Sequence, residues 1–446
     1  MKILHIGFGQ PPQAMGCGPV VYVHTLALAQ RAAGDTAVVL AASDQTAEGR
    51  PPYDPTVVAV DNIPYVLLRN RPVAEHDHWN PNREMSDPAC RRAVVHVLRE
   101  TQPDVVHIHN VVGLSFDVIE AAKDSGARIV MSLHNYFPLC SRDDLFFADA
   151  EHCPGPRYRS CSRCLGTMLG DAAYQARHQM AVDLINQCDV VLAVSTRVAE
   201  IYQQHGVQPD RLVVNRIGSH TAARLWDTFG HRRVIEAAAP STPLRLTFFG
   251  SPIPRKGLST LLQAVRHLRH PEQVEVHLLG NPPPAEVEHL AKGIRSFSPI
   301  HAQRFTFHGG FNQTMLDAFL ARMDVAVLPP RWEDNGPQTV LESLGAGVPV
   351  IGTRMGGIID MIQHEGNGLL VPEGDPVALA EAIDRLVEDP AFVTHLRSGI
   401  DPPLTIDRHR DALAAYYAPP MQARSAQPRI DSPDMVCDGY GACQPL

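Results

Sequence analysis

The stretch Arg331–Gly357, RWEDNGPQTVLESLGAGVPVIGTRMGG, decides how the rest of the chain is read. It opens as a loop dense in turn formers, Asp334, Asn335 and Gly336, and reaches Pro337, a residue suited to the first helical position. Gln338 to Ala346 then reads as a short helix. Val340, Leu341 and Leu344 make its apolar face, and Gly347 suits its C-terminal stop. Val348–Ile351 is a brief apolar strand and Gly356-Gly357 a second tight turn. A helix that starts on a loop after a strand presents unpaired N–H groups and the positive end of its dipole, a place to hold phosphate. Asp334 sits just before that terminus, and Glu342 lies one turn past Gln338 and Thr339 on nearly the same side. Carboxylates repel phosphate but accept hydrogen bonds from hydroxyls. The ligand that fits is a phosphate with a sugar on each side.

Outward from this stretch, short apolar runs alternate with helical periods. Strands are expected at Lys2–Phe8, Thr36–Ala42, Asp104–His109, Ala127–Leu133, Asp189–Val194 and Arg211–Ile217, with helices at Val20–Ala33, Pro88–Glu100, Leu114–Ser125, Asp171–Gln187 and Thr196–His205. The alternation lapses over residues 218–243. It resumes with strands at Leu244–Phe249, Val274–Leu279, Phe305–His308, Asp324–Leu328 and Gly368–Val371, and helices at Leu258–Arg269, Pro284–Ser298, Thr314–Arg322 and Pro376–Val387. Strands that are apolar throughout and spaced by helices imply parallel sheets covered on both faces. The expected class is α/β, two doubly wound units in tandem with a ligand between them at their strand C-terminal ends. Residues 1–217 make the first domain, with a cysteine-bearing loop at 140–164. Residues 218–243 connect it to a second domain at 244–403, residues 404–418 form a terminal helix crossing back to the first, and 419–446 are a poorly ordered tail.

The 446 residues suffice for two or three domains with real cores, and 44% hydrophobic with 20% charged residues is the make-up of a soluble globular protein. A net charge of −9 argues against a general nucleic-acid binder. No window approaches the roughly 18–20 apolar residues of a membrane span. The start, MKILHIGFGQPP, reads as a first strand rather than a signal peptide, so a cytoplasmic location is expected. Nine cysteines, four of them clustered, point in a reducing compartment to metal before disulfides.

Phe249–Gly257, FGSPIPRKG, ends the first strand of the second unit. Its glycine turn permits close backbone approach, and Arg255 and Lys256 make a cationic clamp for the same phosphates, against the alternative of a solvated basic turn. In the first unit Gly16-Cys17-Gly18 closes the first strand-to-helix loop, without the spacing of a dinucleotide fingerprint. His107 and His109 share one face at a strand end, and His134 ends the next strand, facing the cleft. The loop after it carries Cys140, Cys153, Cys161 and Cys164. Four cysteines in one loop resemble a structural zinc knuckle, against a set of unrelated reduced thiols. No Asp-x-Asp stands ready to hold a divalent ion on a diphosphate, so neutralisation falls to Lys256, Arg255 and helix amides, and no catalytic metal is expected.

These residues together resemble the retaining glycosyltransferases of family 4, whose GT-B fold is two facing Rossmann-like domains. The resemblance runs nearly to Tyr417, through the loop at Gly18, PDVVHIHN, SLHN, the turn ending RKG, FHGGF, DVAVLPP and the opening stretch, which is similar to the family's E-x7-E motif. It implies that Glu342 binds the nucleotide ribose hydroxyls and Asp334, an aspartate where the family has glutamate, the hydroxyls of the transferred sugar. It implies that Gln338 and Thr339 present helix-start amides to the diphosphate and sugar, that Lys256 holds the diphosphate, that Gly18 lies near it, and that His134 contacts the donor sugar near the reacting centre. The loop containing CSRC resembles a cysteine-bearing insertion of some members. Ser251 departs from the pattern, standing where the family often has arginine; the departure implies either that Arg255 substitutes or that the diphosphate is held more weakly.

The expected function is therefore transfer of a sugar from a nucleoside-diphosphate sugar to a hydroxyl acceptor, with retention of configuration. A nucleotide-sugar epimerase of the same fold and a non-enzymatic nucleotide-sugar-binding protein are the alternatives. Glycan, lipid-linked and small-molecule acceptors stay open, as does peripheral contact with the inner face of the membrane, for which no basic amphipathic helix speaks.

Overall fold

The computed structural model describes residues 1–11, 18–43, 49–69, 80–148, 151–280 and 304–418, and the backbone of 435–437 and 443–445. The helix expected at Pro284–Ser298, the loop residues Gly16 and Cys17, and most of the tail lie outside the described residues.

Two sheets carry the architecture, and both are doubly wound. The first has eight strands in the spatial order Leu212–Val214, Val190–Ala193, Arg128–Leu133, Val105–Ile108, Lys2–Phe8, Thr36–Ala42, Ile63–Arg69, Asp54–Val60. All neighbours are parallel except the last pair, a hairpin in which Asp54–Val60 runs antiparallel along Ile63–Arg69. That hairpin was not expected from the sequence. Its edge strand is only half-buried and has a proline at its second position, so it lacks the continuous apolar run of a central parallel strand. The second sheet has six parallel strands, in the order Phe305–Phe307, Val274–Leu279, Leu244–Phe249, Val325–Leu328, Val350–Thr353, Gly368–Val371.

In each sheet the strand order reverses beside the first strand of the unit. In the first this falls between Lys2–Phe8 and Val105–Ile108, in the second between Leu244–Phe249 and Val325–Leu328. Loops diverging from such a switch point leave a crevice at the strand C-terminal ends. The two crevices face each other.

Alternate residues of the first strand feed different cores. Leu4 and Ile6 join one buried cluster with Val106, Ile108 and Val191. Ile3 points the other way, into a cluster with Tyr22, Leu26, Val105, Val130 and the terminal helix residues Ile406, Leu413 and Tyr417. The helix Ile406–Tyr417 thus packs on the first sheet, beside Gly18–Ala32, although it follows the second domain in the chain. Residues 218–243, expected as a bare connection, contain His220–Leu225, a π-helical turn Trp226–Gly230 and His231–Ile235. Leu225 and Phe229 pack into the core of the second sheet, and a Cβ on Gly345 would fall within 2.5 Å of the Ala222 carbonyl. The small residues of this segment, Thr221-Ala222-Ala223, hid a helix–helix contact that needs small side chains.

Helix starts follow local chemistry. Asp87, Ser195 and Asp375 each accept a hydrogen bond from the first-turn amides of the helices beginning at Pro88, Thr196 and Pro376. The helix Gln338–Gly345 differs. Pro337 is its N-cap rather than its first helical residue, and no side chain caps it.

Candidate active site

The crevices meet in a cleft of about 460 Å³. Gly18, His134, Arg255, Lys256, Asp334, Gln338 and Thr339, seven of the predicted residues, line it. From the first domain it is lined by Phe8 at the end of Lys2–Phe8, the helix start at Gly18 and His134 at the end of Arg128–Leu133. From the second come the turn after Phe249 and the opening of Gln338–Gly345. Gly18 is pressed against the second domain's helix Gln338–Gly345: a Cβ there would lie 3.2 Å from Gln338 Cγ.

Lys256 Nζ lies 2.6 Å from Asp334 Oδ2. The lysine side chain is 31% exposed and the aspartate 9%, so the pair sits at the cleft wall, open on the lysine side. Asp334 is fixed by the glycine turn that the sequence marked. Gly357 N donates to the Asp334 carbonyl at 2.6 Å, and Gly356 adopts φ +59° so closely against Asp334 that any side chain there would strike its backbone. Of the two cations expected as a clamp, both line the cleft, and each is paired with a carboxylate. Arg255 is committed to a carboxylate of the first domain, Asp144, at 3.1 Å, with its guanidinium 5.1 Å from the ring centre of Trp332. Asp144 is fully buried and also holds Arg142.

Asn335 Nδ2 donates to the main-chain carbonyl of His134 at 2.6 Å, tying the second domain's loop to the first domain's strand end. Two further bonds cross the interface nearby. Arg197 Nη2 lies 2.7 Å from Glu333 Oε1, and Thr196 N donates to Asp360 Oδ2 at 2.7 Å. Trp332 belongs to the loop of the second domain but packs into the core of the first. Asn335, Trp332 and Tyr22, which line the cleft, and Asp144, which holds Arg255 from behind it, are residues that the sequence reading missed. Asn335 stood in the quoted stretch as a turn former, and nothing in a turn signal shows a partner 201 residues away.

Below the cleft floor, buried Arg177 holds the chain just past His134. It donates to the carbonyls of Pro138 at 3.0 Å and Phe137 at 2.6 Å, and pairs with Glu84 through Nε. His134 itself is half-buried, and burial, with repulsion from His409, pushes its pKa down to about 3, so it is neutral at physiological pH. His107 and His109, at the neighbouring strand end, are buried beneath it. With His5 they form the one set, among the described residues, of three potential metal ligands whose atoms lie within 4.8 Å of one another. Their nitrogens are taken up in hydrogen bonds to one another, to Gln30, Tyr417, Ser132 and His134, which leaves none free for an ion.

Glu342 is the predicted site residue that the cleft does not reach. It lies a turn along the helix from Gln338, half-buried, with no side-chain partner among the described residues. Burial raises its pKa to about 8, with Arg224 pulling the other way. The four cysteines Cys140, Cys153, Cys161 and Cys164 line a single small cavity with Phe146 and Leu165 and are unpaired as disulfides. Burial raises the Cys140 and Cys161 thiols to about 12, and neighbouring cysteines add to this. The sulfurs are not drawn as tightly together as the histidine nitrogens. The side chains of Cys437 and Cys443 lie outside the described residues.

The sequence profile described as Glycosyltransferase Family 4 matches residues 17–218, and that described as Glycosyl transferases group 1 matches residues 243–389. The chain is 25% identical to the glycogen synthase of Mycobacterium tuberculosis over 96% of this chain and 98% of that one. It is 33% identical to the lipopolysaccharide core biosynthesis glycosyltransferase LpsD of Rhizobium meliloti, over 36% of this chain and 44% of the relative. Among solved structures, Anabaena HepE in complex with UDP superposes with a TM-score of 0.65 at 18% identity, covering 93% of this chain and 99% of that one. Sucrose-phosphate synthase of Thermosynechococcus elongatus gives 0.65 at 18% identity, covering 94% and 98%. With two facing doubly wound sheets, a cleft at both switch points and both halves matched in sequence, the chain belongs to the family 4 glycosyltransferases of GT-B fold.

Proposed function

We propose that the chain transfers a sugar from a nucleoside-diphosphate sugar to a hydroxyl acceptor with retention of anomeric configuration and without a catalytic metal. One observation carries this reading: the Lys256–Asp334 pair and the uncapped start of Gln338–Gly345 lie together on one wall of the cleft, opposite His134 and Gly18. A lysine and free helix-start amides meet phosphate, while a carboxylate and a neutral imidazole meet sugar hydroxyls. HepE, of the same fold, is described with UDP and with UDP-glucose, which supports a nucleotide sugar as the donor.

As the anomeric C–O bond breaks, negative charge grows on the departing diphosphate. Lys256 and the amides of Gln338 and Thr339 are already in place to receive it. Arg255 shares its charge between Asp144 and that phosphate field. Asp334, neutralised by Lys256, accepts from hydroxyls of the transferred sugar rather than attacking its anomeric carbon. The acceptor hydroxyl enters from the first-domain side, on the face the diphosphate leaves. Its oxygen bonds to the anomeric carbon and its proton passes to a departing phosphate oxygen. Glu342 accepts from the ribose hydroxyls one turn further along the helix. The acceptor is a glycan, a lipid-linked saccharide or a small molecule, and peripheral membrane contact would follow from the second; among the described residues no helix is long and apolar enough to cross a membrane.

Cys140, Cys153, Cys161 and Cys164 have the donor set of a structural zinc site, and their shared cavity fits that assignment. Zinc there would take the sulfurs as thiolates and stiffen the loop that carries Asp144 to Arg255.

The test is a thermal-shift panel of UDP-, GDP-, ADP- and dTDP-sugars, followed by product analysis with the stabilising donor. Expected are release of nucleoside diphosphate, an α-linked product from an α-linked donor, and no loss with EDTA. A new nucleotide sugar formed from donor alone, or an inverted product, would overturn the reading.

A further inference from the structure

The histidines under His134 form a single hydrogen-bonded line. His5 and His107 are register partners in adjacent strands, and His109 follows two residues later, so all three face the helices Gly18–Ala32 and Ile406–Tyr417. Their exposures are 0%, 0% and 2%. Gln30 Oε1 lies 2.7 Å from His5 Nε2, His5 Nδ1 lies 2.9 Å from His109 Nε2, and His109 Nδ1 lies 3.2 Å from His134 Nε2. The line runs from a buried glutamine, 1% exposed and away from the cleft, to the histidine on the cleft wall.

A neutral imidazole has one donor nitrogen and one acceptor nitrogen, so the sense of the first bond sets all the others. The Gln30 carbonyl oxygen can only accept, which places the proton of His5 on Nε2. His5 Nδ1 then accepts from His109 Nε2–H, and His109 Nδ1 accepts from His134 Nε2–H. A side branch agrees. Gln30 Nε2 donates to Tyr417 OH at 3.2 Å, Tyr417 donates to His107 Nδ1 at 2.8 Å, and His107 Nε2–H donates to Ser132 Oγ at 2.8 Å. Burial holds His5 down to about 4 and His134 to about 3, so the rings stay neutral and the alternation of donor and acceptor is kept. Turning the Gln30 amide over would reverse every bond in the line.

We propose that Gln30 is a positioning residue that, through His5 and His109, holds His134 as the Nε2–H tautomer and leaves its Nδ1 as an acceptor for a hydroxyl of the transferred sugar. Among the described residues nothing pairs with that Nδ1. This rests on the reading of His134 as a sugar contact. The line gives the cleft a fixed acceptor without placing a charge beside the leaving diphosphate.

The experiment is a two-bond proton–nitrogen correlation on full-length protein labelled with nitrogen-15 at histidine, with His134 assigned by its alanine variant. It is run on wild type, Gln30→Met, which removes the acceptor, and Gln30→Glu, which keeps one. Expected are Nε2–H at His134 in wild type and in Gln30→Glu, and loss of that single tautomer in Gln30→Met. In Gln30→Met kcat/KM should fall roughly tenfold, about one hydrogen bond, with UDP (or the diphosphate of whichever donor the panel selects) bound as before. Nδ1–H at His134 in wild type overturns the proposal even if the variants fail to fold. An unaltered tautomer in folded Gln30→Met overturns it as well. A changed tautomer with unchanged kcat/KM instead overturns the sugar contact of His134 and leaves the line standing.

Discussion

Lys256 and Asp334 meet at 2.6 Å across the switch point of the second sheet. They are 78 residues apart in sequence, and each reaches the other from the C-terminal end of a different central strand. The pairing means that the phosphate cation and the sugar carboxylate of the proposed site are held as a unit before any donor arrives. On the proposed reading, a donor adds a phosphate to the lysine and a hydroxyl to the carboxylate.

Replacing Asp334 by glutamate tests how tightly that unit is fitted. The residue is 6% exposed and its carboxylate meets Lys256 at 2.6 Å on the cleft wall, so one more methylene would displace the carboxylate from that position. Asp334→Glu should lower kcat/KM roughly tenfold, since displacing the carboxylate forfeits about one hydrogen bond to a charged group. Steady-state kinetics with the selected donor reads this directly, and wild-type activity in the variant would show that the wall is free to move.

Donor binding should depend on the charge of Glu342. Burial raises its pKa to about 8, so below that pH the free enzyme keeps the group protonated. A carboxylate accepting from two ribose hydroxyls favours the ionised form. Affinity for the nucleoside diphosphate should therefore rise as pH increases from 6.5 towards 9, and Glu342→Gln should flatten the profile. Isothermal titration across that range is the measurement, and parallel slopes for the two proteins would refute it.

Buried histidines should set the acid limit of stability. An unfolded histidine takes up a proton near pH 6.5, whereas His5, His409 and His178 are held to about 4 and His134 to about 3 in the fold. The unfolded state thus binds more protons below pH 6.5, and stability is present above that value and lost as pH falls towards 4. Urea midpoints measured from pH 8 to pH 4 should drop most steeply in this interval. His5→Gln should make the drop shallower.

Arg177 offers a test of what holds the loop after His134. Its guanidinium is 1% exposed and serves Glu84 and two carbonyls, between Phe116 and Phe137. Arg177→Met should cost about 3–5 kcal/mol, because it strands a buried carboxylate along with two acceptors. Chemical denaturation gives the value; a loss under 1 kcal/mol would mean the loop is held elsewhere.

The zinc assignment is checked by elemental analysis of protein purified without added metal. About one zinc per chain is expected, falling with Cys161→Ser and Cys164→Ser, and with it the thermal stability of the loop's contact to Arg255. Metal-free protein of unchanged stability would leave the four residues as unrelated reduced thiols.

Much of this protein was legible along the chain because the information is local or periodic. Continuous apolar strands such as DVAVL and DVVHI, spaced by helices, dictate two parallel sheets, since a strand buried on both faces has no polar side to show. The turn formers and glycines from Asp334 to Gly357 mark a ligand-bearing loop, since only glycine fits where Gly356 meets Asp334. The edge hairpin at residues 54–69 and the helices at 220–235 escaped notice because a half-buried edge and a contact between small residues carry weak periodicity. What only the tertiary structure decided are the pairings across long separations: Lys256 with Asp334, Arg255 with Asp144, Asn335 with the carbonyl of His134, and Gln30 with His5. A residue type states what a side chain can donate or accept. Which partner it meets depends on where two sheets and their loops come to rest, and that is fixed by packing of the whole chain.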